Sequence, residues 1–133
     1  MQQFSADQFD EGERIGSGAY GTVMKHILKK TGQQFAVKHC RYRKDGIPYW
    51  VHREMHILQL LCKDNHPNIV SLKGWFFTED DNISNVCGIV FELMVCDLRK
   101  YITSKHMESC MPLLEVKHYI RQLCSGLDFC HSR

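Results

Sequence analysis

Between residues 9 and 40, apolar and polar positions follow the short-period pattern of β-strands. The runs Phe9–Ser17 and Gly21–Lys30 flank a glycine-rich turn. A second turn signal, Thr31-Gly32, leads into a third strand over Gln33–Cys40. Because these connections are too short for parallel crossovers, the pattern predicts an antiparallel sheet.

A helix and two further strands are predicted next. Pro48 suits the first turn of a helix, which we expect to end near Cys62. The runs Ile69–Phe77 and Val86–Phe91 have the character of strands, and the acidic loop Glu79-Asp80-Asp81 joins them.

Helices alone are predicted for the remainder of the chain. Asp97 is a candidate N-cap for a helix to about Lys105, and Pro112 opens a longer one. Apolar residues recur there at steps of three and four and form one face: Leu113, Val116, Ile120, Leu123, Leu127 and Cys130. Five strands, with one helix after the third and helices at the end, indicate an α+β fold with an antiparallel sheet.

Composition limits the kinds of molecule that this chain is expected to bind. Of 133 residues, 44% are hydrophobic and 24% are charged, which is typical of a globular protein. The net charge of +2 gives no reason to expect a nucleic acid as partner. Apolar runs are too short for a membrane helix, and the acidic N-terminus argues against a secretory signal. We therefore expect neither a nucleic-acid nor a membrane partner.

Seven cysteines are many for this length. Without a signal peptide or a CxxC pair, they favour reduced thiols in the cytoplasm or nucleus over a disulfide framework. Cys124, Cys130 and His131 are close in sequence but lack the spacing of a zinc site, so no metal site is expected. A redox or metal protein is the weakest of the functional alternatives.

Residues 15–23 contain the pattern G-x-G-x-x-G. On its own the pattern fits a dinucleotide-binding turn, a phosphate-covering flap or a plain glycine-rich hairpin. A dinucleotide fingerprint requires a helix directly after the glycines, whereas residues 22–28 alternate as a strand. Strand, glycines and strand favour the flap, because backbone N–H groups approach phosphate oxygens with no Cβ in the way. Ile15 and Val23 would bracket a nucleotide base from above.

The positions of one lysine and one glutamate in the sequence are accounted for together if the two side chains form an ion pair. Ala36 and Lys38 share one face of the third strand, where a small residue beside a lysine suits a flat base followed by a phosphate. Glu54 falls within an apolar stripe of the predicted helix, where a carboxylate is costly unless a cation meets it. Lys38 supplies that cation. The alternatives are an exposed Lys38 and a Glu54 that extends into solvent. The stripe is Ile47, Trp50, Val51, Ile57, Leu58 and Leu61.

In this order, the motifs make the chain resemble the N-terminal half of a protein kinase, and more closely a cyclin-dependent kinase. Residues 46–54 match the family's cyclin-contacting PSTAIRE helix, with Pro48 and Arg53-Glu54 in place. Further matches are the turn at 66–70, the hinge at 89–94 with Asp97-Leu98, and the helix at 123–132. The resemblance implies a partial kinase domain over residues 1–133, with an N-lobe at 9–91, a hinge at 92–96 and the start of a helical C-lobe at 97–133.

The resemblance also implies an ATP site, with Lys38 on the α- and β-phosphates and Glu54 as its catalytic ion-pair partner. Phe91 would be the gatekeeper behind the adenine. Backbone groups of residues 92–94 would contact the adenine edge, and Asp97 would meet the ribose. The whole implied ATP-binding set is Ile15, Gly16, Ser17, Gly18, Ala19, Tyr20, Gly21, Thr22, Val23, Ala36, Lys38, Phe91, Glu92, Leu93, Met94 and Asp97.

Regulation is implied at two places. Tyr20 lies where the family has an inhibitory phosphotyrosine, whereas Ala19 replaces a second phosphorylatable residue, which leaves tyrosine control alone. A cyclin-like subunit would contact the PSTAIRE-like helix, in which residues 49–52 differ from the family. The implied partner-binding set is Ile47, Pro48, Tyr49, Trp50, Val51 and Arg53.

The family's H-R-D, D-F-G and A-P-E segments do not occur in the 133 residues. These segments carry the catalytic base and the Mg²⁺ ligands of full-length relatives, so we expect this chain to be inactive alone. The first hypothesis is the ATP-binding portion of a cyclin-dependent-type kinase that transfers the γ-phosphoryl group of ATP to protein Ser or Thr. The alternative is a non-catalytic short form that binds a cyclin or a similar partner through the helix at 47–61.

Overall fold

A six-stranded sheet carries the fold of the computed structural model, which describes residues 2–19, 21–43, 46–78, 85–105 and 110–133. In chain order the strands are β1 (Gln2–Gln3), β2 (Glu13–Gly18), β3 (Gly21–Ile27), β4 (Gln34–Tyr42), β5 (Leu72–Thr78) and β6 (Asn85–Glu92), and the helices are α1 (Tyr49–Leu61), α2 (Leu98–Lys105) and α3 (Leu113–His131). The strand order is β1-β5-β6-β4-β3-β2. Every described pairing is antiparallel except that of β1 with β5. The predicted α+β class is confirmed, and β1 makes the sheet mixed.

Two strands begin later than predicted, and β3, which was expected to reach Lys30, ends at Ile27. The strand expected from Phe9 begins at Glu13, and Phe9 itself forms only an isolated bridge with Leu28. The strand expected from Ile69 begins at Leu72. In both places turn-like residues precede the strand, and apolar composition alone does not locate the first ladder hydrogen bond. Tyr20, Asp45 and the predicted acidic loop lie outside the described residues.

The sheet has a hydrophobic core on each face. The core on the α1 face consists of Cys40, Val51, Leu72, Cys87 and Ile89. The opposite core consists of Phe4, Phe9, Phe35, Val37, Phe76 and Val90. Residues 2–12, which we call the N-terminal strap, carry two of these phenylalanines across the sheet. The strap is fixed at one end by the Phe4 N–H, which donates to the Trp75 carbonyl at 2.8 Å.

Helix α1 packs on the sheet with only part of its apolar surface. Val51 is completely buried, and Met55 and Leu58 pack against the same cluster, as expected for residues four and seven positions along a helix. Ile57 is 44% exposed, so its predicted place in the buried stripe is wrong. Six positions after Val51, it lies on another side of the helix.

Helix α3 is joined to the turn before β5. Asn68 Nδ2 donates to Gln122 Oε1 at 3.1 Å, and the His66 ring stacks on Phe129 with centroids 4.7 Å apart. The predicted apolar face of α3 is exposed at Leu113, Val116, Ile120, Leu123 and Leu127. No helix in the described part of the chain has both the length and the apolar character needed to cross a membrane.

Two histidines connect the strap to the middle of the sheet. His26 is buried, and its Nδ1 lies 2.8 Å from the Asp10 carbonyl, so Nδ1 carries the proton that the carbonyl accepts. In the neutral ring Nε2 is then an acceptor, and it receives the Nε2–H of His39 at 3.0 Å. This arrangement has no position for a second proton between the rings. Burial, together with the neighbouring His26 and Arg41, lowers the pKa of His39 to about 4.

Acidification from pH 6.5 to pH 4 is therefore expected to destabilise the fold. The folded-state pKa of His39 is about 4 against a reference of 6.5, so in this window the unfolded chain binds a proton that the folded chain rejects. Because His39 is partly exposed, we discount the effect to about 1.5 kcal/mol. Urea unfolding at a series of pH values measures it. His39→Gln should flatten the profile in this window, whereas the exposed control His56→Gln should not. A His39→Gln profile as steep as the parent's would contradict the assignment.

Candidate functional site

The residues predicted to face the base and the phosphates lie on one face of the sheet, on four of its strands. Side chains of directly paired residues in an antiparallel ladder point to the same face. Gly16 pairs with Val23, Val23 with Lys38, and Ala36 with Phe91. Lys38 lies two residues from Ala36 on the same strand, so all five share the α1 face. The predicted residues thus form one continuous surface beside α1.

The side chains of Ser17 and Thr22 do not join this surface. Ser17 pairs with Thr22, and Thr22 with His39, which places them on the strap face. Ile15 is skipped by the β2–β3 register and is exposed, as is Ala19. Tyr20 lies outside the described residues. At Ser17 and Thr22, contact with a ligand on the α1 face would therefore come from the backbone.

The predicted ion pair is formed. Lys38 Nζ lies 2.6 Å from Glu54 Oε1 and 2.7 Å from Glu54 Oε2. The Lys38 side chain is 21% exposed and that of Glu54 is 30% exposed, so solvent reaches one side of the pair. The alternatives, an exposed Lys38 and a Glu54 that extends into solvent, do not describe this geometry. A cation is held at a fixed place, with an open side at which an anion can approach it.

The three glycines of the turn differ in whether the fold would tolerate a Cβ at their positions. Gly21 has φ +145°, and a Cβ there would collide with the His39 carbonyl, so the fold itself requires glycine. A Cβ at Gly18 would meet nothing within 4 Å, and one at Gly16 would lie 3.7 Å from Val23 Cβ, an ordinary contact. The described part of the fold therefore does not require glycine at positions 16 and 18. A ligand whose atoms approach the backbone at these two positions would require glycine, because a Cβ would occupy that space.

The segment after β6 forms the far end of the surface. Glu92 is bound to the residue before β5, since its N–H donates to the Ser71 carbonyl at 3.2 Å and its Oε1 accepts from the Ser71 N–H at 2.8 Å. Asp97 caps α2, as predicted, with Oδ1 accepting from the Lys100 N–H at 2.7 Å. Met94 is exposed and lines a cavity of about 220 Å³ between this segment and α3.

Comparison with known proteins gives the family. A model of the protein kinase domain matches residues 9–133. The chain belongs to the protein kinase family. The cell division control protein 2 homolog D of Antirrhinum majus is 36% identical over 128 residues, which cover 94% of this chain and 40% of that protein. The chain spans well under half of this relative's length.

The kinase resemblance assigned helix α1 to partner binding, and the structure divides the implied set. Val51 is completely buried in the α1-face core, so the expectation that it contacts a partner is wrong. Ile47 also packs against that core. Tyr49 is 80% exposed and Arg53 is exposed. The ring centroid of Trp50 lies 5.9 Å from Lys38 Nζ, so Trp50 lies beside the kinase ion pair.

The stripe predicted from the sequence contains both Trp50 and Glu54, but no role beside the ion pair was predicted for Trp50. Trp50 precedes Glu54 by four residues, and residues at that spacing lie one above the other on a helix. Since Glu54 was expected to face Lys38, Trp50 follows on the same side. The kinase resemblance implied only a partner contact for Trp50.

Two buried thiols lie on the α1 face next to the site. Cys40 and Cys87 are directly paired across β4 and β6. Burial raises the pKa of Cys40 to about 11 and that of Cys87 to about 12, so both remain protonated at neutral pH. All seven cysteines, each in a described range, are free thiols. The described residues contain no cluster of three or more His, Cys, Asp or Glu side chains arranged to hold a metal ion.

Proposed function

We propose that this chain binds ATP on the α1 face of the sheet, between the glycine turn and Lys38. The observation that carries the proposal is the Lys38–Glu54 ion pair, which fixes a cation beside a turn with open space at Gly18. Lys38 would meet the α- and β-phosphates, and backbone N–H groups of residues 16–21 would cover them. The adenine would lie against Val23, Ala36 and Phe91.

In the whole protein we propose transfer of the γ-phosphoryl group of ATP to protein Ser or Thr. Membership of the protein kinase family and the likeness to a cell division control protein support this. ATP supplies the phosphoryl group, and this chain's own residues bind and orient it. Mg²⁺ would neutralise phosphate charge, with its ligands in segments that these 133 residues do not contain. Phosphorylation of Tyr20 would place negative charge next to the ATP phosphates and weaken binding.

Gly18→Ala is expected to weaken ATP binding by about tenfold and to leave adenosine binding and the unfolding temperature nearly unchanged. The added Cβ meets nothing in the fold, but it occupies the space through which the backbone would approach phosphate oxygens. Calorimetric titration of the parent and variant with ATP and with adenosine measures the difference. Equal ATP affinities would argue against phosphate binding at this turn.

We also propose a cyclin-like partner for the exposed side of α1. The observation in its favour is Tyr49, an aromatic side chain that is 80% exposed, with Leu60 exposed on the same side of the helix. Exposed aromatic residues of this kind are the usual anchors of protein interfaces. This surface would serve either a catalytic kinase or a short form that only binds.

Tyr49→Ala is expected to reduce binding of a cyclin-type partner by about tenfold or more, because anchors of this kind contribute about 2 kcal/mol. Surface plasmon resonance with a panel of cyclins measures the affinities. Lys63→Ala is the matched control, exposed but beyond the end of α1. Equal binding by the parent and the Tyr49→Ala chain would remove this surface from the proposal.

A further inference from the structure

The side chain of Trp50 lies beside the Lys38–Glu54 ion pair and is only partly exposed to solvent. Trp50 and Glu54 are one helical turn apart on α1, and both face β4. The Lys38 ammonium lies 2.6 Å from the Glu54 carboxylate and 5.9 Å from the centroid of the indole. That separation is within the range of about 6 Å at which a cation is attracted by the face of an aromatic ring. Lys38 is therefore contacted by both residues.

Its surroundings make this contact effective. Trp50 is half-buried and packs against the α1-face core, so its ring is held by neighbours as well as by Lys38. It lines a groove of about 380 Å³ together with Arg53, Glu54, Ile57 and Leu58. An apolar wall on one side of an ion pair keeps water away from that side and strengthens the Coulomb attraction. Lysine otherwise has a flexible stem with many rotamers.

We infer that Trp50 is a positioning residue of the nucleotide site, which holds the Lys38 ammonium against Glu54 and so presents it to the phosphates. This inference rests on the proposed ATP site and assigns an element of it. Because Trp50 belongs to α1, the same chain would also supply a residue that keeps the ion pair formed. The ligand chemistry concerned is the anionic phosphate chain, since the adenine surface lies two residues away at Ala36.

The contact itself is tested without nucleotide. Trp50 and Trp75 are the two tryptophans of the chain, so Trp75→Phe leaves the Trp50 indole as the one reporter. In that background, Lys38→Met is expected to change the emission intensity of Trp50, because it removes the nearby ammonium. Lys63→Met, an exposed lysine elsewhere, is the control and should leave the emission unchanged. Identical spectra for the Lys38→Met and parental reporters would overturn the contact, whatever the chain binds.

Its consequence is tested by titration with ATP and with adenosine. Trp50→Ala should weaken ATP binding about fivefold and leave adenosine binding within about twofold, because only ATP carries phosphates for Lys38 to meet. Trp50→Phe should restore most of the ATP affinity. His52→Ala, an exposed ring two positions along α1, should change neither ligand.

The outcomes separate the two levels of the account. If Trp50→Ala weakens ATP and adenosine equally, its role is structural and the positioning inference is wrong. If the parent chain binds neither ligand while the indole still senses Lys38, the proposed function fails and the contact stands. If Trp50→Phe is as weak as Trp50→Ala while both unfold at the parent's temperature, an aromatic face is not what positions Lys38.

Discussion

Lys38→Met is expected to weaken ATP binding by the 133-residue chain by about 30-fold or more, the largest effect on affinity that we foresee. A charge-assisted hydrogen bond to a phosphate contributes about 2 kcal/mol, and methionine keeps most of the length of the side chain while it removes the cation. Adenosine binding should change by less than about twofold, because the ammonium lies on the phosphate side of Ala36. Isothermal titration with both ligands gives the two ratios.

The control for Lys38→Met must separate charge from folding. Loss of Lys38 leaves the Glu54 carboxylate without this partner at a 30% exposed position, which lowers stability as well as affinity. The double variant Lys38→Met with Glu54→Gln removes both charges and should recover most of the lost stability but none of the ATP affinity. If the double variant binds ATP as tightly as the parent, Lys38 does not act on phosphate.

Gly88→Ala is expected to cause the largest loss of stability, about 3 kcal/mol. Gly88 pairs with His39 on one side and with Phe76 on the other. A Cβ at Gly88 would collide with the Phe76 ring. The centroid of that ring lies 5.6 Å from the centroid of the Phe9 ring of the strap and 6.0 Å from that of the His39 ring. The variant therefore displaces an aromatic ring from the centre of the strap-face core. Urea unfolding monitored by circular dichroism gives the free energy of unfolding.

A double-mutant cycle identifies the cause. Phe76→Ala alone removes the ring and is itself destabilising, by about 3 to 4 kcal/mol. With the ring absent, Gly88→Ala should cost less than about 1 kcal/mol, since the atoms it collided with are gone. If Gly88→Ala is equally costly with and without Phe76, strain elsewhere in β6 is responsible.

Local patterns predicted the parts of the fold whose causes are local. The glycine turn between two strands follows from spacing, and α1 was predicted to within one residue of its observed ends because Pro48 and the apolar periodicity mark them. The strap was not predicted. Its two-residue strand β1 has no period, and its docking depends on distant glycines, such as Gly74, where a Cβ would collide with the Gln2 carbonyl.

The ion pair of the site was predictable because burial makes an isolated charge costly. Glu54 in an apolar stripe requires a cation, and the strand before it offers Lys38 at a suitable face. Which side of α1 meets the sheet was harder to predict, since Ile57 and Val51 are both apolar and only packing separates them. Ser17 and Thr22 lie within the glycine motif, yet strand alternation turns their side chains to the strap face.

The central claim is that ATP lies on the α1 face with its phosphates between the glycine turn and Lys38. The most direct measurement is a titration of the ¹⁵N-labelled chain with ATP and with adenosine, followed by ¹H–¹⁵N spectra. The account predicts saturable shifts of the Gly16, Gly18 and Gly21 amides with ATP that adenosine does not reproduce, whereas both ligands shift Ala36. ATP-induced shifts that leave the three glycines and Lys38 unchanged would contradict it.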